Sequence, residues 1–215
     1  MNSNFAAILW DFGGVLTSSP FEAFNRYEQQ HGIPRDFIRR VNATNPETNA
    51  WAQFESSQIS AGQFDIAFES ETRNAGHAIP GKVVIGLLSG EVRPHMVEVL
   101  KRCKQYYRVA CLTNNVKAGE GPGMARNANE AARMRAVMAL FDLVIESRNE
   151  GVRKPNPRIY QLACERLNVE PKRVVFLDDL GINLKPARQL GMTTIKVETE
   201  QQAIAELSRV LNINF

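Results

Sequence analysis

The stretch Phe5-Ala6-Ala7-Ile8-Leu9-Trp10-Asp11-Phe12-Gly13-Gly14-Val15-Leu16-Thr17 decides the fold. An unbroken apolar run stops at an aspartate, and two glycines follow. A short run that is apolar at every position reads as a strand buried on both faces, as inside a parallel sheet. Glycines permit a tight turn and a close backbone approach, so Asp11 would stand at the strand tip. A carboxylate placed there can serve as a covalent nucleophile. By itself the segment also fits a plain strand-to-loop turn.

The same pattern recurs along the chain. Tyr107 to Leu112 stops at Thr113-Asn114, and Val174 to Leu177 stops at Asp178-Asp179. Asp142 to Glu146 and Met192 to Val197 are two further strand candidates. Helical segments lie between them: Arg93 to Gln105 with Pro94 in its first turn, Ala128 to Ala139, Pro157 to Leu167, Asn183 to Leu190 closed by Gly191, and Thr199 to Val210. Strands alternating with helices predict an open, parallel α/β sheet. Ligands of such sheets bind beyond the carboxyl ends of the strands, where the polar residues of this chain collect.

Residues 19–92 differ. Ser19-Pro20-Phe21-Glu22 has the form of a capping box with proline at the first helical position, opening a helix toward His31-Gly32. Ser60-Ala61-Gly62-Gln63 predicts a second capping box, with its helix ending near Asn74-Ala75-Gly76, and Pro34 and Pro80 suggest two more helix starts. No strand pattern stands out, so residues 19–92 read as an all-helical insertion into an α/β core made of residues 1–18 and 93–215.

Composition narrows the function classes. The 215 residues are 44% hydrophobic, and 26 basic against 23 acidic side chains give a formal charge of +3. The basic clusters around Arg39-Arg40 and Lys101-Arg102 are short, where a nucleic-acid surface would need a continuous stripe. No apolar run approaches the ~18 residues of a membrane span: Val83 to Leu88 is broken by Gly86, and Phe5 to Trp10 stops at Asp11. Met1-Asn2-Ser3-Asn4 lacks the basic start of a secretory signal. Cys103, Cys111 and Cys164 are widely spaced and form no Cys-x-x-Cys pair, which suits buried free thiols. These features predict a cytoplasmic protein with no nucleic-acid or membrane partner; they leave the oligomeric state open.

Three segments besides Asp11 carry chemistry. Thr113 and Asn114 would offer a hydroxyl and an amide to phosphate oxygens, or form a simple turn. Lys154, in Arg153-Lys154-Pro155-Asn156-Pro157, would bring an ammonium to the site, or point to solvent. Asp178-Asp179 would suit Mg²⁺, which prefers hard oxygen ligands, or cap the following helix. His31, His77 and His95 are isolated. Trp51, Phe54, Phe64 and Phe68 read as core of the insertion, with one of them a candidate for facing the substrate. Arg39 and Arg40 read as a solvated face, with one of them a candidate for meeting a substrate anion. Gly119-Glu120-Gly121-Pro122-Gly123 lacks the Lys-Ser/Thr of a phosphate-binding loop.

In order, Asp11, Thr113, Lys154 and Asp178-Asp179 resemble the four motifs of the haloacid dehalogenase superfamily. The helical insertion sits where the type-1 cap of that superfamily does. Val174 to Arg188, Phe141 to Ser147 and Gly151 to Pro155 look like the N-terminal phosphatase domain of the soluble epoxide hydrolases. The resemblance implies a Rossmann-like core, a helical cap and a Mg²⁺-dependent phosphatase acting on a small phosphorylated metabolite. It makes Asp11 the nucleophile and Lys154 its charge-neutralising partner. Thr113, Asn114 and Lys154 would bind the phosphoryl group. Asp11, Asp179 and the Gly13 carbonyl would be metal ligands, supported by Asp178 and Asn183.

One position departs from the pattern. Phosphatases of the superfamily usually carry a second aspartate two residues after the nucleophile, as general acid, and here that residue is Gly13. A metal-independent 2-haloacid dehalogenase, or a weakly active protein binding a phosphorylated ligand, are the alternatives this leaves. Phosphonatases rely on a cap lysine, and Lys82, the only lysine in residues 19–92, gives in Pro80-Gly81-Lys82 no sign of a desolvated pocket.

Overall fold

The computed structural model describes residues 4–115 and 128–215. The glycine-rich segment at Gly119 to Gly123 lies outside the described residues, as does the Met1 start. Among the described residues one parallel sheet has the order β3-β2-β1-β4-β5. Its strands are β1 (Ala7–Trp10), β2 (Arg108–Thr113), β3 (Leu143–Glu146), β4 (Val174–Asp178) and β5 (Thr193–Lys196). All five strands expected from the sequence form, most of them trimmed by a residue or two at an end. Successive side chains of a strand point to opposite faces, which explains runs with no polar position. Ile8 and Trp10 pack with Met96, Leu100 and Leu207 on one face, while Ala7 and Leu9 meet Ile159, Tyr160 and Leu184 on the other.

The helices on those faces are α6 (Pro94–Lys104), α7 (Ala128–Met138), α9 (Pro157–Leu167), α10 (Gly181–Gln189) and α11 (Glu200–Leu211), and a short α8 (Ser147–Glu150) follows β3. Gly191 takes φ +98 just past α10, and the Met192 amide closes the helix by donating to Ala187 O at 3.1 Å. All three cysteines are buried and free.

Between β1 and α6 the chain forms α1 (Pro20–Gln30), α2 (Phe37–Ala43), α3 (Ala50–Glu55), α4 (Ala61–Asn74) and α5 (Gly81–Gly86). These helices enclose an apolar cluster of their own, built on Phe24, Ile38, Phe54, Phe64 and Phe68. Phe54 and Phe64 stack at 4.5 Å between centroids. The capping box at Ser60 is complete in both directions. The segments entering and leaving the insertion run side by side, bridged at Thr17 and Val92, with the Ser18 amide donating to Glu91 O at 2.8 Å.

Three local expectations change. Ser19 precedes α1, yet its side chain makes no cap hydrogen bond; the Glu22 amide turns to the Ser19 carbonyl instead. Pro34 does not start α2. That helix begins at Phe37, and Glu28 from α1, fully buried, accepts from the amides of Asp36 at 2.7 Å and Ile38 at 2.8 Å. A distant carboxylate thus replaces the local cap. Helix α3 had no signal in the sequence reading; its N-cap is Asn49, which accepts from the Ala52 amide.

Candidate active site

Register places the chemistry. Trp10 pairs with Cys111 on one side and Leu177 on the other, so the next residue, Asp11, comes level with the end of β4. The Asp11 amide donates to Leu177 O at 2.9 Å, and its carboxylate accepts from the Phe12 amide at 2.7 Å. Lys154 reaches in from the segment before α9. Its Nζ lies 2.9 Å from Asp11 Oδ2 and 2.6 Å from Asp178 Oδ2, with the side chain 1% exposed. A lysine that buried is stable only when paired, and here it has two carboxylates. The solvent-exposed reading of Lys154 is thereby excluded. Burial alone would lower its pKa, but Asp11 and Asp178 raise it above the ordinary value.

Asn114, at the end of β2, orients that lysine. Its Oδ1 accepts from the Lys154 amide at 2.9 Å and its Nδ2 donates to the Lys154 carbonyl at 3.0 Å. One amide hydrogen of Asn114 remains for a ligand. Thr113 is buried beside it, and both residues line the cavity described below.

Asp178 is fully buried, and every bond it makes serves the framework. It accepts from the Leu180 amide at 2.8 Å, from Asn183 Nδ2 at 3.1 Å on each oxygen, and from Lys154. Asp179 is more open. Its Oδ2 accepts from Ser19 Oγ at 3.3 Å, which accounts for the Ser19 hydroxyl that fails to cap α1. Gly14, with φ +76, lies directly beneath: a Cβ there would meet Asp179 Oδ2 at 2.2 Å. Gly13 is different, since a Cβ built on it meets nothing within 4 Å.

Asp11, Asp178 and Asp179 bring ligand atoms within 4.8 Å of one another. One ammonium faces three carboxylates. Burial, joined by Asp178 and Asp179, pushes the Asp11 carboxyl up to about 8 against the pull of Lys154. Burial and Asp178 push Asp179 up to about 6. The negative charge is under-compensated and the donors are hard oxygens, so the residues fit a Mg²⁺-sized cation.

Asp11, Lys154 and Asp179 form the floor of a cavity of about 760 Å³ between the insertion helices and the carboxyl ends of the strands, with Asp178 buried behind them. Phe21, Arg39, Trp51 and Leu88 contribute from the insertion, and Ile182 from α10. Of the four aromatics singled out in the insertion, Trp51 lines the cavity, while Phe54, Phe64 and Phe68 are core. Arg39 lies half-exposed with its guanidinium 4.3 Å from the Phe21 ring centroid. Arg40 donates to Arg35 O and stays outside. Lys82 is exposed beside Asp65, and no histidine lines the cavity among the described residues.

Two functional candidates escaped the sequence reading. Glu55 of α3 is buried at the cavity wall, and Arg153 meets it with Nη1 2.7 Å from Oε2. The second arm of Arg153 donates to the Pro46 carbonyl. No local pattern marks either residue, because they meet across the insertion boundary.

A profile of the haloacid dehalogenase-like hydrolases matches residues 5–191. The chain is 31% identical to mouse acyl-CoA dehydrogenase family member 10 over 97% of its own length and 19% of that protein. It is 30% identical to mouse bifunctional epoxide hydrolase 2 over 96% of its length and 39% of the relative. It thus spans well under half of both. A phosphorylated carbohydrates phosphatase of Thermotoga maritima is 28% identical over 88% of this chain and 83% of its own. An enzyme of this fold from Bacteroides thetaiotaomicron, solved with magnesium and inorganic phosphate, superposes with a TM-score of 0.58 at 19% identity, covering 91% of this chain and 96% of that one.

Proposed function

The chain belongs to the haloacid dehalogenase-like hydrolases, and from that premise we propose that it is a Mg²⁺-dependent phosphatase of small phosphorylated substrates, working through an aspartyl-phosphate on Asp11. The observation that carries this reading is the Asp11–Lys154–Asp178 chain of ion pairs at the cavity floor, with Asp179 beside it. A dehalogenase attacks carbon without a metal and has no need of a third clustered carboxylate.

Asp11 is the nucleophile, its carboxylate fixed in the cavity between the Phe12 amide and the Lys154 ammonium. Lys154 offsets the repulsion between an anionic nucleophile and an anionic phosphoryl group. The Thr113 hydroxyl and the spare N–H of Asn114 hold phosphoryl oxygens. Asp178 and Asn183 keep Lys154 in place. Asp11, Asp179 and the Gly13 carbonyl are the groups that would hold Mg²⁺, which when bound supplies further charge neutralisation for the phosphoryl oxygens. Residues 19–92 act as the cap, with Arg39 and Trp51 on the substrate side, excluding water from the reacting centre.

The test is a panel of phosphate monoesters and acyl phosphates assayed with and without Mg²⁺. Mg²⁺-dependent release of phosphate, lost in Asp11→Asn, supports the reading. Binding of phosphorylated ligands with no turnover of any of them, or Mg²⁺-independent dehalogenation of 2-haloacids, overturns it.

A further inference from the structure

Gly13 lies two residues beyond the nucleophile, lines the cavity, and leaves the space where a side chain would begin open to 4 Å. Among the described residues no side chain stands in that open space. The candidate donors among them are engaged, outside the cavity or exposed. His31 is bonded to Tyr27 O and stacked on the Tyr27 ring, His77 packs on Phe37, and His95 pairs with Glu200. None of the three lines the cavity. Glu55 is held by Arg153 at 2.7 Å. Glu47 lines the cavity but is exposed to solvent, on the segment joining α2 to α3. The Thr17 and Ser56 hydroxyls donate to main-chain carbonyls.

We propose that this site takes acyl or aryl phosphates, whose leaving oxygen departs without a proton, and that the phosphoryl group then accumulates on Asp11. The inference rests on the phosphatase reading above. In the first step an Asp11 oxygen forms a bond to phosphorus and the bond from phosphorus to the leaving oxygen breaks. Its electron pair leaves with that oxygen as a carboxylate or phenolate. An alkyl phosphate would have to expel an alkoxide, which needs a proton, and no donor stands at Gly13 to supply it. In the second step a water oxygen bonds to phosphorus, the bond to Asp11 breaks, and the water proton passes to solvent. The group that donates a proton in the first step is the one that would accept it in the second, so Gly13 removes assistance from both. A good leaving group repairs only the first step. Dephosphorylation then becomes rate-limiting.

General acid–base assistance contributes roughly 10²–10⁴-fold, which sets the size of the expected effects. With Mg²⁺ present, acetyl phosphate and p-nitrophenyl phosphate should turn over at least about 100-fold faster than glycerol or ethyl phosphate. Rapid mixing with p-nitrophenyl phosphate should give a burst of phenolate approaching one per chain, and intact-mass measurement should find one added phosphoryl group. Gly13→Asp should raise the ratio of alkyl to aryl rates at least about tenfold and shrink the burst. If that variant does not fold, the leaving-group series and the burst in the unaltered protein still decide. Equal alkyl and aryl rates with no burst overturn this proposal and leave the phosphatase reading standing. No phosphate release from any substrate, with no phosphoryl group on the chain, overturns the phosphatase reading and this proposal together.

Discussion

Arg153 grips Glu55 from the residue immediately before Lys154: Nη1 and Oε2 are 2.7 Å apart, and both side chains are largely buried, at 20% and 10% exposure. Ser147 Oγ adds a bond to the Glu55 carbonyl at 3.0 Å, and Ser57 Oγ donates to Arg148 O at 3.2 Å. Helix α3 of the insertion is thus tied to the loop that carries the site lysine. Burial pushes the Glu55 carboxyl up while Arg153 pulls it down.

Removing one partner of such a pair strands the other. Arg153→Ala should cost about 3 kcal/mol in urea unfolding, the low end for a broken buried pair. Arg153→Met combined with Glu55→Gln should cost less than the two single changes summed. Additive costs would mean that the pair contributes nothing beyond its separate contacts.

Adjacent glycines should behave oppositely. Gly14→Ala forces a methyl to 2.2 Å from Asp179 Oδ2 at a φ of +76, so it should lower stability by at least about 1 kcal/mol and abolish turnover. Gly13→Ala has open space and should stay within about 0.5 kcal/mol of the parent. Thermal unfolding of the two variants side by side checks this.

Divalent cations and protons should compete at the carboxylate cluster. The folded-state values of about 8 for Asp11 and about 6 for Asp179 lie above the ~4 of a free aspartate. Proton uptake therefore stabilises the metal-free fold fully below pH ~4, and that stabilisation is lost as pH rises through 6 and 8. Mg²⁺ requires the deprotonated groups. Its stabilisation should be small at pH 5.5 and large at pH 8.5, reaching about 2.7 kcal/mol at a hundredfold excess over Kd. Melting curves at several pH values, with Mg²⁺ or with a chelator, measure the difference; a pH-independent increment would contradict it.

Ser19 separates a structural role from a site role. A lost helix cap typically costs ~1 kcal/mol, but the Ser19 side chain caps nothing and meets Asp179 instead. Ser19→Ala should leave stability nearly unchanged and weaken Mg²⁺ binding about tenfold, as for other residues behind a metal ligand. Calorimetric titration with Mg²⁺ and a urea curve suffice to check both halves.

The sheet was legible because a strand buried on two faces has to be written as an unbroken apolar run, and the polar groups at its carboxyl edge, Lys154 apart, because they stand where those runs stop. The insertion was legible in outline, through the capping box at Ser60 and the missing strand patterns. Its details were not. The cap of α2 is Glu28, a full helix away in sequence, and the signature at Ser19 gave the right helix start for the wrong reason. Asn114 was readable as a polar group at a strand end, but its double bond to the Lys154 backbone depends on how a distant loop is routed. Glu55 and Arg153 belong to that class too: pairing across a boundary leaves no periodicity to read.

Lys154 takes hold of Asp11 beyond β1, is held by Asn114 beyond β2, and meets Asp178 at the end of β4. In sequence Asp11 comes well before its partners. Until the segment from Lys154 to Asp179 has emerged and docked, a nascent chain carries Asp11 with neither its ammonium nor the rest of its carboxylate cluster. The cluster is therefore complete only once β4 has paired with β1.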